Sequence, residues 1–210
     1  MSQVLARVDG VCGELVLRRS GADYEIIANG VFLMDTRNGE SERLLVRAAA
    51  DRMPAGSALV VGGLGVGFSL REALAHPRVG AVVVVEREPA VIEWNQGVLG
   101  NADILADPRV RLVGDDLQTW LPTAGAFGAL CLDIDNGPEW TVDDRNATLY
   151  GPAGLSLLRE ALLPGGVLAV WSAGAAPAFV SALSHRFGAV ETLSVPVPRG
   201  EPDLVFLVAR

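Results

Sequence analysis

Four short apolar runs each end in residues able to do chemistry. Residues 58–61 enter Gly62-Gly63-Leu64-Gly65-Val66-Gly67, residues 81–85 end at Glu86, residues 110–113 at Gly114-Asp115-Asp116, and residues 129–132 at Asp133. Gly62, Gly63, Gly65 and Gly67 allow a backbone to approach a ligand closely, and a helix after them would present N–H groups to a carboxylate or phosphate. A carboxylate at Glu86 can take both hydroxyls of a ribose, and Asp115, with Asp116 beside it, can accept from an adenine amino group. Asp133, with Asp135 as a second carboxylate, can orient or deprotonate an amine or hydroxyl. Plainer roles exist for each: tight strand-to-helix packing for the glycines, a helix cap for Asp115, turn chemistry for Asp133 to Pro138. The ordering of a glycine loop and three acids at successive strand ends favours a nucleoside-type cofactor site.

Those ends share an edge only if the runs are strands of one sheet. From Ser57 onward, apolar runs at 58–61, 81–85, 110–113, 129–132, 167–171 and 204–208 alternate with helical patterns at 68–75, 88–99, 155–163 and 178–184. Strands apolar throughout are buried on both faces, which predicts a Rossmann-like, doubly wound, mainly parallel α/β sheet with its ligand site at the carboxyl ends. Upstream, 14–18, 24–28 and 31–34 read as strands, with hairpin signals at Ser20-Gly21 and Asn29-Gly30. Ser41 is placed to cap a helix over 41–52. The expected organisation is an N-terminal β-hairpin region, 1–40, and a cofactor-binding domain, 41–210.

Composition removes several function classes. The 210 residues are 50% hydrophobic and 20% charged, with 25 acids against 17 basic residues and a net charge of −8. Every basic residue is Arg, so a lysine Schiff base, a lysine general base and a lysine phosphate loop are excluded. The acidity argues against nucleic acid and anionic membrane and is compatible with a cationic small substrate. Two distant Cys and two distant His suggest no metal site. Residues 1–9 lack the apolar core of a signal peptide, and the uncharged stretch 161–184 is broken by Pro164-Gly165-Gly166 and by 174–177; both point to a soluble cytoplasmic protein.

The G-x-G-x-G spacing, with Phe68 where a dinucleotide fingerprint needs Gly, resembles the class I S-adenosylmethionine-dependent methyltransferase fold. More narrowly, residues 58–63 and 70–77, Val84-Val85-Glu86-Arg87-Glu88, Val113-Gly114-Asp115 and the segments 149–150 and 157–166 resemble spermidine synthases, as does the N-terminal piece with Asn29-Gly30-Val31. The resemblance covers about residues 10–171. It implies a homodimer that moves an aminopropyl group from decarboxylated S-adenosylmethionine to an amine. It also implies Glu86 as the ribose acid, Asp115 as the adenine-side acid and Asp133 as the catalytic Asp. The chain departs from that family in the glycine loop, which lacks the family's Asp, and after Asp133, where Ile134, Asp135 and Asn136 replace two Ser and an Asp. Leu33 stands at the family's Gln, and 37–43 differs from its amine-binding segment.

These departures lead the sequence reading to methyl transfer from S-adenosylmethionine to a small-molecule acceptor, an amine among the candidates. Its basis is that an acid-free loop and a helix N-terminus favour a donor carboxylate. Aminopropyl transfer from decarboxylated S-adenosylmethionine is the alternative, and a non-catalytic nucleoside-binding relative the second. Trp140, Tyr150 and Trp171 are candidate walls for the acceptor.

Overall fold

The computed structural model describes residues 2–198 and 200–210. The chain opens with a four-stranded antiparallel meander, β1 (Ser2–Gly10), β2 (Gly13–Ser20), β3 (Asp23–Ala28) and β4 (Val31–Asp35). Asn29 and Gly30 are both left-handed, at φ 51° and 79°, the twist a two-residue hairpin needs. Leu15, Leu17, Ile26 and Ala28 supply the buried face.

Helix α1 (Glu40–Arg52) starts two residues earlier than Ser41 would start it as a cap, and Gly39 sits at the N-cap. The Ser41 hydroxyl points into the molecule instead, 2.8 Å from Asp203 Oδ2 and 2.9 Å from Glu42 Oε2.

The remaining elements are β5 (Ala58–Gly62), α2 (Phe68–Ala75), β6 (Ala81–Val85), α3 (Pro89–Gln96), α4 (Ala102–Leu105), β7 (Val110–Val113), α5 (Leu117–Trp120), β8 (Phe127–Leu132), α6 (Ala147–Tyr150), α7 (Pro152–Glu160), β9 (Leu162–Ser172), α8 (Pro177–Phe187), β10 (Glu191–Val195) and β11 (Asp203–Ala209). They form one seven-stranded sheet in the order β10-β11-β9-β8-β5-β6-β7, with β5 to β9 parallel and the last two strands antiparallel. Side-chain alternation gives the sheet two apolar faces. Val60, Leu130, Leu132, Leu168 and Val170 meet Trp120, Leu155, Leu158, Phe179 and Leu183 on one side. Leu59, Val61, Val82, Val84, Ala129 and Cys131 meet Leu45, Ala49, Leu70 and Trp94 on the other. This is the expected doubly wound α/β architecture.

Several elements differ from the sequence reading, which named no strand at β1 and no helix at α4 or α6. The helix expected to reach residue 163 stops at Glu160, and β9 already begins at Leu162. Leu162 is fully buried and pairs with Phe127, so its burial decides the boundary; Pro164-Gly165-Gly166 becomes an irregularity inside the strand before Val167 pairs with Ala129. Strand β10 was not expected, because it is a sheet edge with only Val195 buried and so carries little apolar signal. Among the described residues, no helix is long and apolar enough to cross a membrane.

The meander is fastened to the sheet through a buried acid. Glu88, just before α3, accepts from the Val11 N–H at 2.8 Å and the Cys12 N–H at 3.1 Å, both in the β1–β2 turn. Gly10 leaves the space this needs, since a Cβ there would lie 2.4 Å from Glu88 Oε2. Charge-assisted bonds of this kind contribute about 1.5–3 kcal/mol each. Glu88→Ala is therefore expected to lower the unfolding free energy in urea by about 2–4 kcal/mol, and Glu88→Gln, which keeps one acceptor oxygen, by less.

Candidate active site

The strand order reverses between β5 and β8, so their carboxyl ends open a crevice where the flanking connections diverge. The two ends touch. The Asp133 N–H donates to the Gly62 carbonyl at 3.0 Å, and a Cβ on Gly63 (φ 93°) would lie 2.4 Å from the Asp133 carbonyl oxygen. The meander and the start of α1 roof the crevice, leaving a cavity of about 560 Å³.

At one end, Glu86 leaves β6 and is buried. Its Oε2 accepts from the Leu64 N–H at 2.9 Å and its Oε1 from the Glu88 N–H at 2.8 Å. Burial pushes this carboxyl above the usual range, with the two N–H bonds opposing the rise. Each carboxylate oxygen keeps a second acceptor site, so a ligand hydroxyl can still be held. Asp115, exposed, and Asp116 lie beyond β7 and line the same end. The helix cap considered for Asp115 is made by its neighbour: the Asp116 carboxylate accepts from the Gln118 N–H at 2.8 Å.

The other end holds Asp133. Among the described residues nothing donates a hydrogen bond to its carboxyl. Burial raises its affinity for a proton well above the usual range, and the nearby carboxyls of Glu42 and Asp203 raise it further. Glu42, on the first turn of α1, is itself raised, first by burial and also by Asp203. Asp203, opening β11, is raised by burial against the bond from Ser41. Three acids, on α1, just after β8 and at the start of β11, thus converge, and an arginine charge, that of Arg43, opposes the rise at Glu42 alone. Asp135 follows in a left-handed conformation (φ 54°), its Oδ2 accepting from Asn146 Nδ2 at 2.7 Å. The Asn136 side-chain amide is buried without a partner and also lines the cavity.

Of the residues singled out in the sequence, Gly63, Gly65, Glu86, Asp115, Asp116, Asp133 and Asp135 line one cavity. Gly62 and Gly67 do not. A Cβ on Gly62 would press on Leu132 and Leu117, and Gly67 is the left-handed N-cap of α2, with Asn101 packed against it. Trp140 and Trp171 line the cavity, whereas Tyr150 is buried in the core edge-on to Phe179. The sequence reading missed Glu42, Asp203 and Arg87. The first two are single acids far apart in sequence, at a helix start and a strand start; only a Ser41-to-Asp203 contact across the fold unites them. Among the described residues, eleven carboxylic acids line the cavity against one arginine, Arg87, which is itself paired with Asp116 and Asp143.

No protein-family model matches the chain. The fold is that of the spermidine synthases. It superposes on a spermidine synthase solved with the transition-state analogue AdoDATO with a TM-score of 0.81, at 16% identity, covering 99% of this chain and 73% of that one. The Thermotoga maritima spermidine synthase gives 0.78 at 16% identity, over 99% and 72% of the two chains. In sequence, the chain is 37% identical over 166 residues to a polyamine aminopropyltransferase of Mycobacterium tuberculosis, covering 75% of this chain and 30% of the relative. The corresponding protein of Corynebacterium efficiens is 32% identical over 170 residues, with coverage of 77% and 31%. The chain belongs to the spermidine-synthase-like family and spans about a third of the length of these curated relatives.

These relatives overturn the expectation of methyl transfer, since both are aminopropyltransferases by name. The geometry supplies the physical reason. The Leu64 N–H that a donor carboxylate would use is already held by Glu86, and neither Gly67 nor the first residue of α2 reaches the cavity. The Leu64 amide and the start of α2 are thereby removed from the positive elements invoked for S-adenosylmethionine.

Two measurements check the site. A carboxyl raised in the folded state binds more protons there than when unfolded, so it costs stability as pH rises through the unfolded value toward the folded one. Asp133→Asn removes that cost: its Tm should exceed the wild-type value at pH 8 by about 2–4 °C, the shift about 1 kcal/mol gives at this size, and match it near pH ~4. Glu86→Gln keeps the side chain's size but halves its acceptors, so calorimetric affinity for 5′-methylthioadenosine should fall at least about tenfold.

Proposed function

We propose that the cavity transfers an aminopropyl group from decarboxylated S-adenosylmethionine to an amine. The observation that carries this reading is the charge of the cavity: among the described residues, eleven acids and one neutralised arginine line it, which suits a cationic donor and a cationic acceptor better than a donor carboxylate. The aminopropyltransferase relatives support the same reaction.

In this reading Glu86, Asp115 and Asp116 hold the nucleoside beside Gly63 and Gly65, while Gly62 and Gly67 shape the loop. The acceptor sits against Asp133, Asp135, Glu42 and Asp203. Its reacting ammonium must first lose a proton, and the lone pair so freed attacks the aminopropyl carbon bound to sulfur. The C–S bond breaks, its electrons pass to sulfur, and 5′-methylthioadenosine departs as a neutral thioether. The product nitrogen gains the positive charge the sulfur gives up, so the event that needs a base is the loss of the acceptor's proton. Asp133 is the group placed to take it, because burial among Glu42 and Asp203 has raised its proton affinity toward that of a useful base. The protein's further contribution is alignment of nitrogen, carbon and sulfur.

Purified protein incubated with decarboxylated S-adenosylmethionine and 1,4-diaminobutane should yield 5′-methylthioadenosine and an aminopropylated amine by mass spectrometry. A methylated amine from S-adenosylmethionine, with no aminopropyl product, would overturn the reading. Asp133→Asn should lower kcat by about 10²-fold or more while 5′-methylthioadenosine affinity stays within about threefold.

A further inference from the structure

Arg87 follows Glu86 on the β6–α3 connection and is the one arginine on the cavity wall among the described residues. Its guanidinium is mostly buried and branches three ways. Nη1 reaches Asn146 Oδ1 at 3.1 Å and Asp116 Oδ2 at 3.5 Å, and Nη2 reaches Asp143 Oδ2 at 3.0 Å. Asn146 is 4% exposed. Since a guanidinium only donates, it must face the amide oxygen of Asn146. The amide NH₂ is then aimed the other way, at Asp135 Oδ2, 2.7 Å distant. Asp135, whose backbone is in the left-handed region, meets this NH₂ as an acceptor. Asp143 anchors the far end of the same segment. Despite its burial, bonds from Arg145 and Cys12 and the charge of Arg87 hold its carboxyl well below the usual range. One side chain therefore links the nucleoside end, at Asp116, to the wall that carries the second acceptor carboxylate.

We propose that Arg87 is a positioning residue for the acceptor side of the site: it sets the Asn146 amide, through it the carboxylate of Asp135, and with its other branch pins the 135–146 segment at Asp143. This rests on the reading of the cavity as an aminopropyl-transfer site. A lysine could not replace it, because a single ammonium lacks the fork that reaches Asn146 and Asp143 together.

The test uses Arg87→Met, Arg87→Lys and Asn146→Asp, the last of which still accepts from Arg87 but turns a like charge on Asp135. In Arg87→Met and Asn146→Asp, KM for 1,4-diaminobutane should rise at least about tenfold, more than kcat falls, with 5′-methylthioadenosine affinity within about threefold of wild type. Arg87→Lys should lie between. Hydrogen–deuterium exchange of residues 135–146 should quicken about tenfold or more in Arg87→Met, while the strands of the central sheet keep their protection. An unchanged amine KM in both variants, or a parallel loss of amine KM, kcat and nucleoside affinity, would overturn the proposal. A wild-type protein that transfers no aminopropyl group would sink the preceding functional reading alone. The exchange measurement would still decide this one, quickened exchange confined to 135–146 supporting the role of Arg87 and unchanged exchange refuting it.

Discussion

Two carboxylates, two residues apart, hold the parts of this site together. Glu86 uses its two oxygens on the N–H groups of Leu64 and Glu88, so it joins the glycine loop to the connection that starts α3. Glu88 uses both of its own on the turn between β1 and β2, so it joins that connection to the roof. The cavity between roof and sheet exists because backbone donors that water would otherwise serve are satisfied by buried anions. Arg87, between the two acids, carries the same connection across to Asp116, Asn146 and Asp143. Three consecutive side chains thus meet the glycine loop, the opposite wall and the roof.

The same cavity is expensive electrostatically. Glu42, Asp133 and Asp203 approach one another from α1, β8 and β11, and each has its proton affinity raised by burial. A folding interior would pair such groups with cations; here the local hydroxyl is Ser41, and the charge of Arg43 opposes the rise at Glu42 alone. Destabilisation of this kind concentrates where a ligand supplies the missing charge. It accords with an acceptor that arrives as an ammonium and with a base that must remove a proton from it.

One N–H group bears on the contrast between methyl and aminopropyl transfer. An acid-free glycine loop read as a sequence favours a donor carboxylate. In the folded chain, the acid that the loop lacks comes from the next strand: Glu86 lies against Leu64 and claims its amide. A loop without an acidic residue is thereby given an acidic neighbour, and one of the N–H groups expected to favour a donor carboxylate is taken.

Periodicity and punctuation made the architecture legible from residues alone. Apolar runs of four or five ending in Gly, Glu or Asp mark parallel strands and their functional edge, because burial on both faces leaves no room for alternation. Asn29-Gly30 marked its hairpin through backbone sterics. Glu86 and Asp133 were visible for the same local reason, each ending a strand. What tertiary structure alone decided are the contacts made across the sheet. Ser41 reaches Asp203 over 162 positions, and Glu88 reaches Val11 over 77. Arg87 meets Asn146 over 59, and Leu162 takes a strand position because its side chain is enclosed there. Local sequence specifies backbone preference and which faces shun water; which isolated acid faces which is set only when the elements pack, since the energy that pairs them comes from shared burial rather than from spacing along the chain.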